Sequence, residues 1–313
     1  LSAQKRRSLF TIGNLPRISP MYVATLLTNP ATPKLDATTV EALRNAWGGG
    51  AALWLNPGVA AEFSLDVMPE NLWQVWADLQ PLGIDLAVQR QEGRRKQMLL
   101  ADMDSTMIGQ ECIDELADEA GVGEYVAGIT ARAMNGELEF EQALRERVAL
   151  LKGLDASVIA KVLAARITFT PGGRELIATM KANGGYAALV SGGFTAFTAH
   201  VAQALAFDEH RANTLHIDGG KLAGTVADPI LGREAKVAAL DEISARLGLS
   251  PADVMAVGDG ANDLGMLGRA GAGVALHAKP AVAAECDLRI NHGDLTALLY
   301  LQGYSCDEFA QPA

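Results

Sequence analysis

Four short apolar runs, at residues 98–101, 187–190, 254–257 and 274–276, recur along the chain with amphipathic stretches between them, such as 174–183 and 234–247. Runs this short suit buried strands better than helices. Strands that alternate with helical periodicity predict a doubly wound parallel sheet with helices on both faces, an α/β fold. Each of the first three runs ends in a cluster of small and acidic residues. These are Asp102-Met103-Asp104-Ser105-Thr106, Ser191-Gly192-Gly193 and Gly258-Asp259-Gly260-Ala261-Asn262-Asp263. Ligands in such folds bind beyond the carboxyl ends of the strands, so the three clusters are expected to converge on one site.

The crossover between the first and second runs is unusually long. Residues 109–170 are helical in pattern throughout, with apolar residues spaced by three and four over 113–120, 123–134 and 140–151. This predicts a helical cap inserted over the site. A chain of 313 residues exceeds the usual span of one core, and the polar, basic run at 88–97 is the natural boundary. Residues 1–90 then form a small α+β domain and 91–313 the sheet with its cap. In the first part, 8–12, 51–55, 60–65 and 85–89 read as strands, and Ser19-Pro20 and Pro69-Glu70 read as helix starts. Trp47, Trp54, Trp73 and Trp76 all fall here, and aromatic residues at helical spacing are more often core or interface than ligand contacts. The region is read as a structural, homodimer-forming appendage, with a ligand-sensing module as the alternative.

The formal charge of −11 disfavours nucleic acid, since a polyanion would be repelled. An anionic substrate would need local positive charge from a metal or a few convergent Lys and Arg side chains. Cys112, Cys286 and Cys306 are odd in number and lack CxxC spacing, which favours free thiols in a reducing compartment. No apolar run approaches the length of about 20 residues that a membrane span needs. A cytoplasmic protein without a membrane partner is expected. His216 and His277 show no ligand spacing and read as structural.

A pair of Asp residues two apart means little alone, since a chain of this size holds about one by chance. The joint pattern carries the argument. Asp102, Asp104 and Asp259 can hold a hard, oxygen-loving cation such as Mg²⁺, which leaves coordination positions for a substrate phosphate. Asp102 can attack phosphorus, splitting ester hydrolysis into two easier steps. The leaving alkoxide then needs a proton, and Asp104, two residues along, can supply it. Lys236, near the start of a helix, neutralises charge on the phosphoryl oxygens, while the Ser191 hydroxyl and the Gly192 N–H donate hydrogen bonds to them.

These clusters resemble the successive motifs of the haloacid-dehalogenase-like phosphatases, over about residues 97–300. In the cap, Glu111-Cys112-Ile113-Asp114-Glu115, Met134-Asn135-Gly136 and the stretch from Phe140 to Val148 are similar to those of the phosphoserine phosphatases in particular. The resemblance implies a Rossmann-like sheet with a helical cap, Mg²⁺ as cofactor and O-phospho-L-serine as substrate, in the last step of serine biosynthesis. It implies Asp102 as nucleophile and Asp104 as acid/base, with Asp102, Asp259 and the Asp104 backbone carbonyl as magnesium ligands. Glu111 would face the substrate ammonium and Arg147 its carboxylate. Ser191, Gly192, Lys236 and Asn262 would surround the phosphate, and Asp263 would support Lys236. Met103 stands where an aromatic residue is common in the family. The likeness of residues 1–90 to amino-acid-sensing ACT domains is loose. A response-regulator receiver also phosphorylates an Asp, but the acid/base Asp104 and the long cap argue against one.

Overall fold

The computed structural model describes residues 21–134 and 137–311 of the 313. Tyr22-Val-Ala-Thr-Leu-Leu forms strand β1 (Tyr22–Leu27), buried along nearly its whole length. Helix α1 (Ala37–Ala46) follows, opened by Asp36, whose carboxylate accepts the Thr39 N–H. Next come β2 (Leu53–Asn56), β3 (Ala60–Leu65), α2 (Leu72–Leu79) and β4 (Asp85–Arg90). They make an antiparallel sheet in the order β2-β3-β1-β4. The expected strand at 8–12 and the Ser19-Pro20 helix start lie outside the described residues. The segment that such a helix would have entered is instead the strand β1. It is hydrogen-bonded on both sides and buried on both faces, and this uninterrupted apolar environment outweighs a local capping cue.

The two-residue alternation of strand side chains divides this sheet between two cores. Leu26, Phe63, Leu86 and Val88 pack under the two helices with Val40, Trp47 and Trp76. Leu27, Leu55, Ala60 and Ala87 point the other way, into the main core shared with Tyr300 and Leu301.

The second sheet begins at β5 (Met98–Ala101). The insertion follows, with α3 (Cys112–Glu119), α4 (Gly123–Met134), α5 (Phe140–Ala149) and α6 (Ser157–Ala165). The chain leaves and re-enters through a neck where Ile108 bridges Phe169 and Gln110 hydrogen-bonds Thr168. Then come α7 (Gly173–Ala182), β6 (Tyr186–Phe194), α8 (Thr195–Leu205) and β7 (Glu209–Asn213). A hairpin of β8 (Leu215–Asp218) and β9 (Lys221–Val226) lies against the insertion. Leu222 N–H donates to Leu154 O, and Gly153 N–H returns a bond to Leu222 O, both at 2.8 Å. The remaining elements are α9 (Arg233–Arg246), β10 (Val254–Gly258), α10 (Leu264–Arg269), β11 (Ala272–Leu276), α11 (Pro280–Ala284), β12 (Leu288–Ile290) and α12 (Ala297–Leu301).

All neighbours in this six-stranded sheet are parallel, in the order β12-β11-β10-β5-β6-β7. From β5 the chain winds first toward β6 and β7, and later toward β10, β11 and β12. The winding direction therefore reverses beside β5, and the crevice at that point lies between the carboxyl ends of β5 and β10. Asp102 and Asp259 sit at these two ends.

The basic run after β4 is not a free spacer. Arg94 reaches back to Glu62 through two hydrogen bonds of 2.6 and 2.8 Å, and both side chains are largely buried. Arg95 lies over the Tyr304 ring and pairs with Glu308. Asp85 accepts N–H bonds from Asn291, His292 and Gly293, and Arg289 stacks on Trp73. Among the described residues, no helix is long and apolar enough to cross a membrane.

Candidate active site

Asp102 is carried off the end of β5 while its own N–H still bonds Val257 O of β10, so the first residue of the cluster is fixed by the sheet. Thr106, Met107 and Ile108 then all donate their N–H to Met103 O, which turns the chain back toward the neck and places Asp104 over the strand ends. At the end of β10, Gly258 lets the next turn close. A Cβ there would come within 2.4 Å of the Asp263 carboxyl carbon. The space admits the Asp263 carboxylate, whose Oδ2 accepts the N–H groups of Asp259 and Gly260.

Lys236, from the first turn of α9, is fully buried. Its Nζ donates to Asp263 Oδ1 at 2.6 Å and lies 2.6 Å from Asp102 Oδ1. Burial works to lower the ammonium's pKa, but the carboxylates of Asp102 and Asp263 outweigh it and hold it above the usual lysine range. Asp102 is pushed up to about 7 by burial and by the charge of Asp263, against the pull of Lys236. Burial, then Asp263 and Glu111, raise Asp259, and burial with Glu111 raises Asp104.

The site therefore carries more negative charge than its one buried lysine balances. Carboxylate oxygens of Asp102, Asp259 and Asp263 lie within 4.8 Å of one another. Asp259 Oδ2 and Asp104 Oδ1 are buried without a hydrogen-bond partner. Both oxygens of Asp263 are already engaged, one by Lys236 and one by two N–H groups. A buried acidic cluster with open carboxylate oxygens fits a divalent cation, which would offset this desolvated charge.

Above these groups is one cavity shared by the sheet and the insertion. Asp102, Asp104, Ser191, Gly192 and Asn262 line it from below, and Glu111 and Arg147 from the insertion. Of the residues that the sequence placed around the substrate, Glu111, Arg147, Ser191, Gly192 and Asn262 border this space, whereas Lys236 does not line it and lies with Asp259 and Asp263 in the buried layer beside Asp102. Ser191 Oγ accepts the Gly193 N–H at 2.9 Å, which leaves its own proton to donate. Glu111 accepts from Ser105 Oγ at 2.6 Å. Burial holds the Glu111 carboxyl above the usual glutamate range, opposed by that bond.

Phe140, Ile113 and Leu144 also line the cavity, although the sequence presents them only as part of the cap stretches that resemble the family and assigns them no site role. Phe140 fits only because position 192 is glycine, where a Cβ would meet its ring at 2.7 Å. No local pattern distinguishes these from core residues of an amphipathic helix. Lys279 was also missed, and its Nζ stands 3.9 Å from Asp259 Oδ2. His216 and His277 lie elsewhere, bonded to Thr225 and to Gly293 O.

A parallel sheet bearing acidic residues at its reversal point, a buried lysine beside them and a helical insertion overhead defines a capped phosphoryl-transfer hydrolase. The profile of the haloacid dehalogenase-like hydrolases matches residues 99–268, more than half the chain. A phosphoserine phosphatase from Streptomyces coelicolor is 40% identical over 304 residues, covering 94% of this chain and 73% of the relative. A haloacid-dehalogenase-family hydrolase from Salmonella enterica serovar Typhi superposes with a TM-score of 0.79 at 29% identity, covering 90% of this chain and 98% of its own. A phosphoserine phosphatase solved as an analogue of its phospho-aspartyl intermediate is 42% identical with a TM-score of 0.63, covering 66% of this chain and 98% of its own. The chain belongs to the phosphoserine phosphatase family of the haloacid dehalogenase-like hydrolases.

Proposed function

We propose that the protein hydrolyses O-phospho-L-serine to L-serine and phosphate through an aspartyl phosphate on Asp102, the step that ends serine biosynthesis. The observation that carries this reading is the single cavity with Asp102 and Asp104 below and Glu111 and Arg147 above. Asp102 attacks phosphorus. Asp104, whose raised affinity for a proton suits the acid form, protonates the departing serine oxygen and then takes a proton from the attacking water. Ser191, the Gly192 N–H, Asn262 and Lys236 hold the phosphoryl oxygens. Glu111 receives the ammonium and Arg147 the carboxylate of the amino acid.

Mg²⁺ would be held by Asp102, Asp259 and the Asp104 backbone carbonyl, and it supplies charge neutralisation at the phosphoryl group. Asp263 supports Lys236. The test is phosphate release from a panel of small phosphomonoesters with and without Mg²⁺. Phosphoserine should be turned over fastest and only with the metal; equal turnover of esters without an amino-acid moiety would withdraw the substrate.

We assign residues 1–90 to a structural and homodimer-forming lobe and 91–313 to the phosphatase unit with its cap. Between Arg44 and Glu62 the chain carries no charged residue. That stretch includes the edge strand β2, whose Leu53 is 56% exposed, so this edge offers a second copy an uncharged strand in a chain of net charge −11. The free thiols of Cys112, Cys286 and Cys306 support a cytoplasmic setting.

A further inference from the structure

Arg147 is 5% exposed and, among the described residues, makes no direct ion pair; the charges of Asp114, Glu111 and Asp104 act on it from farther away. A buried guanidinium without a counter-ion is costly unless its N–H groups are held and a partner arrives. Its Nε donates to Ala143 O at 3.0 Å, one turn back along α5. Its Nη1 donates to the Thr130 hydroxyl at 3.0 Å, across to α4. Thr130, itself 3% exposed, is 2.6 Å from Asp114 Oδ1 on α3 and 3.1 Å from Val126 O. A threonine has one hydroxyl proton, and the shorter contact to a carboxylate takes it.

We propose that Thr130 and Asp114 are positioning residues that pre-set the Arg147 fork for the substrate carboxylate. The proposal rests on the reading of Arg147 given above. A guanidinium is planar, so fixing Nε and Nη1 fixes the direction of Nη2 before any substrate enters. Placing a hydroxyl between Arg147 and Asp114 matters for selectivity. A direct Asp114–Arg147 pair would occupy the fork and compete with the incoming carboxylate. With Thr130 between them, Asp114 polarises the hydroxyl that holds the guanidinium, and an edge of the fork stays available. The three residues come from three different helices of the insertion, so the relay also ties the carboxylate subsite to the assembled cap.

The test compares phosphoserine with phosphoethanolamine, which keeps the ammonium and lacks the carboxylate, in Thr130→Val, Thr130→Ser and Asp114→Asn, each checked for an unchanged melting profile. Loss of one hydrogen bond to a charged group predicts a KM for phosphoserine about tenfold higher in Thr130→Val. Its kcat should stay within about twofold and phosphoethanolamine should be unaffected. Thr130→Ser, which keeps the hydroxyl, should restore most of the loss. Asp114→Asn should follow Thr130→Val in direction with a smaller effect of about threefold. Equal losses on both substrates, a fall in kcat at constant KM, or failure of serine to rescue would overturn the proposal. If the wild-type protein fails to prefer phosphoserine over phosphoethanolamine, the reading of Arg147 falls and the relay with it. If that preference stands and Thr130→Val leaves it intact, the relay alone falls. Should Thr130→Val not fold, Thr130→Ser and Asp114→Asn decide by the same substrate ratio.

Discussion

Asp102, Asp259 and Asp263 sit at the ends of two adjacent buried strands, whereas Glu111 and Arg147 are carried by helices joined to the sheet through the neck at Ile108 and Phe169. The lower group is cross-linked at close range, by Lys236 to two carboxylates and by Asp263 to two backbone N–H groups. The upper pair is held by hydrogen bonds to neutral groups, Ser105 Oγ for Glu111, and Thr130 Oγ1 with the Ala143 carbonyl for Arg147. Rigid strand ends suit bond-making at phosphorus, where geometry must be held closely. A helical layer over the site can discriminate between molecules without altering that geometry. Damage below should thus cost all substrates alike, and damage above should cost phosphoserine selectively.

The largest effect is expected from Asp102→Asn, whose amide cannot form an acyl phosphate. Turnover of both phosphoserine and p-nitrophenyl phosphate should fall by about 10⁴-fold or more with the melting temperature little changed. Substantial residual hydrolysis in pure protein would remove Asp102 as nucleophile. Chelation by EDTA should likewise silence both substrates, and added Mg²⁺ should restore both. Retention of either activity after thorough chelation would show that the open oxygens of Asp104 and Asp259 serve another purpose.

Next in size are Glu111→Gln and Arg147→Ala. Each strands a charge of phosphoserine in a desolvated cavity, at a cost of about 2 kcal/mol or more. The ratio of kcat/KM for phosphoserine to that for p-nitrophenyl phosphate should drop about 30-fold or more in each variant. An unchanged ratio would erase the distinction between the two halves of the site.

The lower half was the more legible in the sequence, because its residues are adjacent in the chain. The stretches 102–106 and 258–263 each follow a strand and concentrate their chemistry in a few positions. The upper pair, Glu111 and Arg147, is placed only through the family resemblance, and no spacing links Arg147 to Asp114 and Thr130 on two other helices before the helices pack. The strands showed the same contrast. Apolar β5 and β10 were readable, but β7, Glu-His-Arg-Ala-Asn at the sheet edge, has no apolar run and stayed hidden. The polar run at 88–97 marks the boundary of the N-terminal region, and its four tryptophans carry the reading of it as a structural appendage. That polarity also serves a contact between the two parts, through Arg94 with Glu62, while Arg95 pairs with Glu308 inside 91–313. Glu62→Gln should accordingly lower stability by about 3 kcal/mol, with kcat/KM of the folded protein unchanged. A large change in activity without one in stability would tie this lobe to the chemistry.

The smallest effect concerns pH. The Glu111 carboxyl is held above the ordinary glutamate range by burial, and only its ionised form pairs with an ammonium. As pH falls, that form is lost earlier than for an exposed glutamate, so the selectivity ratio should decline on the acid side. Ser105→Ala removes the bond that opposes the shift and should move the decline to higher pH. A ratio independent of pH would separate Glu111 from the ammonium.

Every later step of the proposed reaction depends on a covalent intermediate at Asp102. Rapid acid quenching during turnover of radiolabelled phosphoserine, followed by peptide mapping, tests it directly. Label is expected on the peptide containing Asp102, and it should be lost when the enzyme is chased with unlabelled substrate before quenching. Label on another residue during full turnover would contradict it.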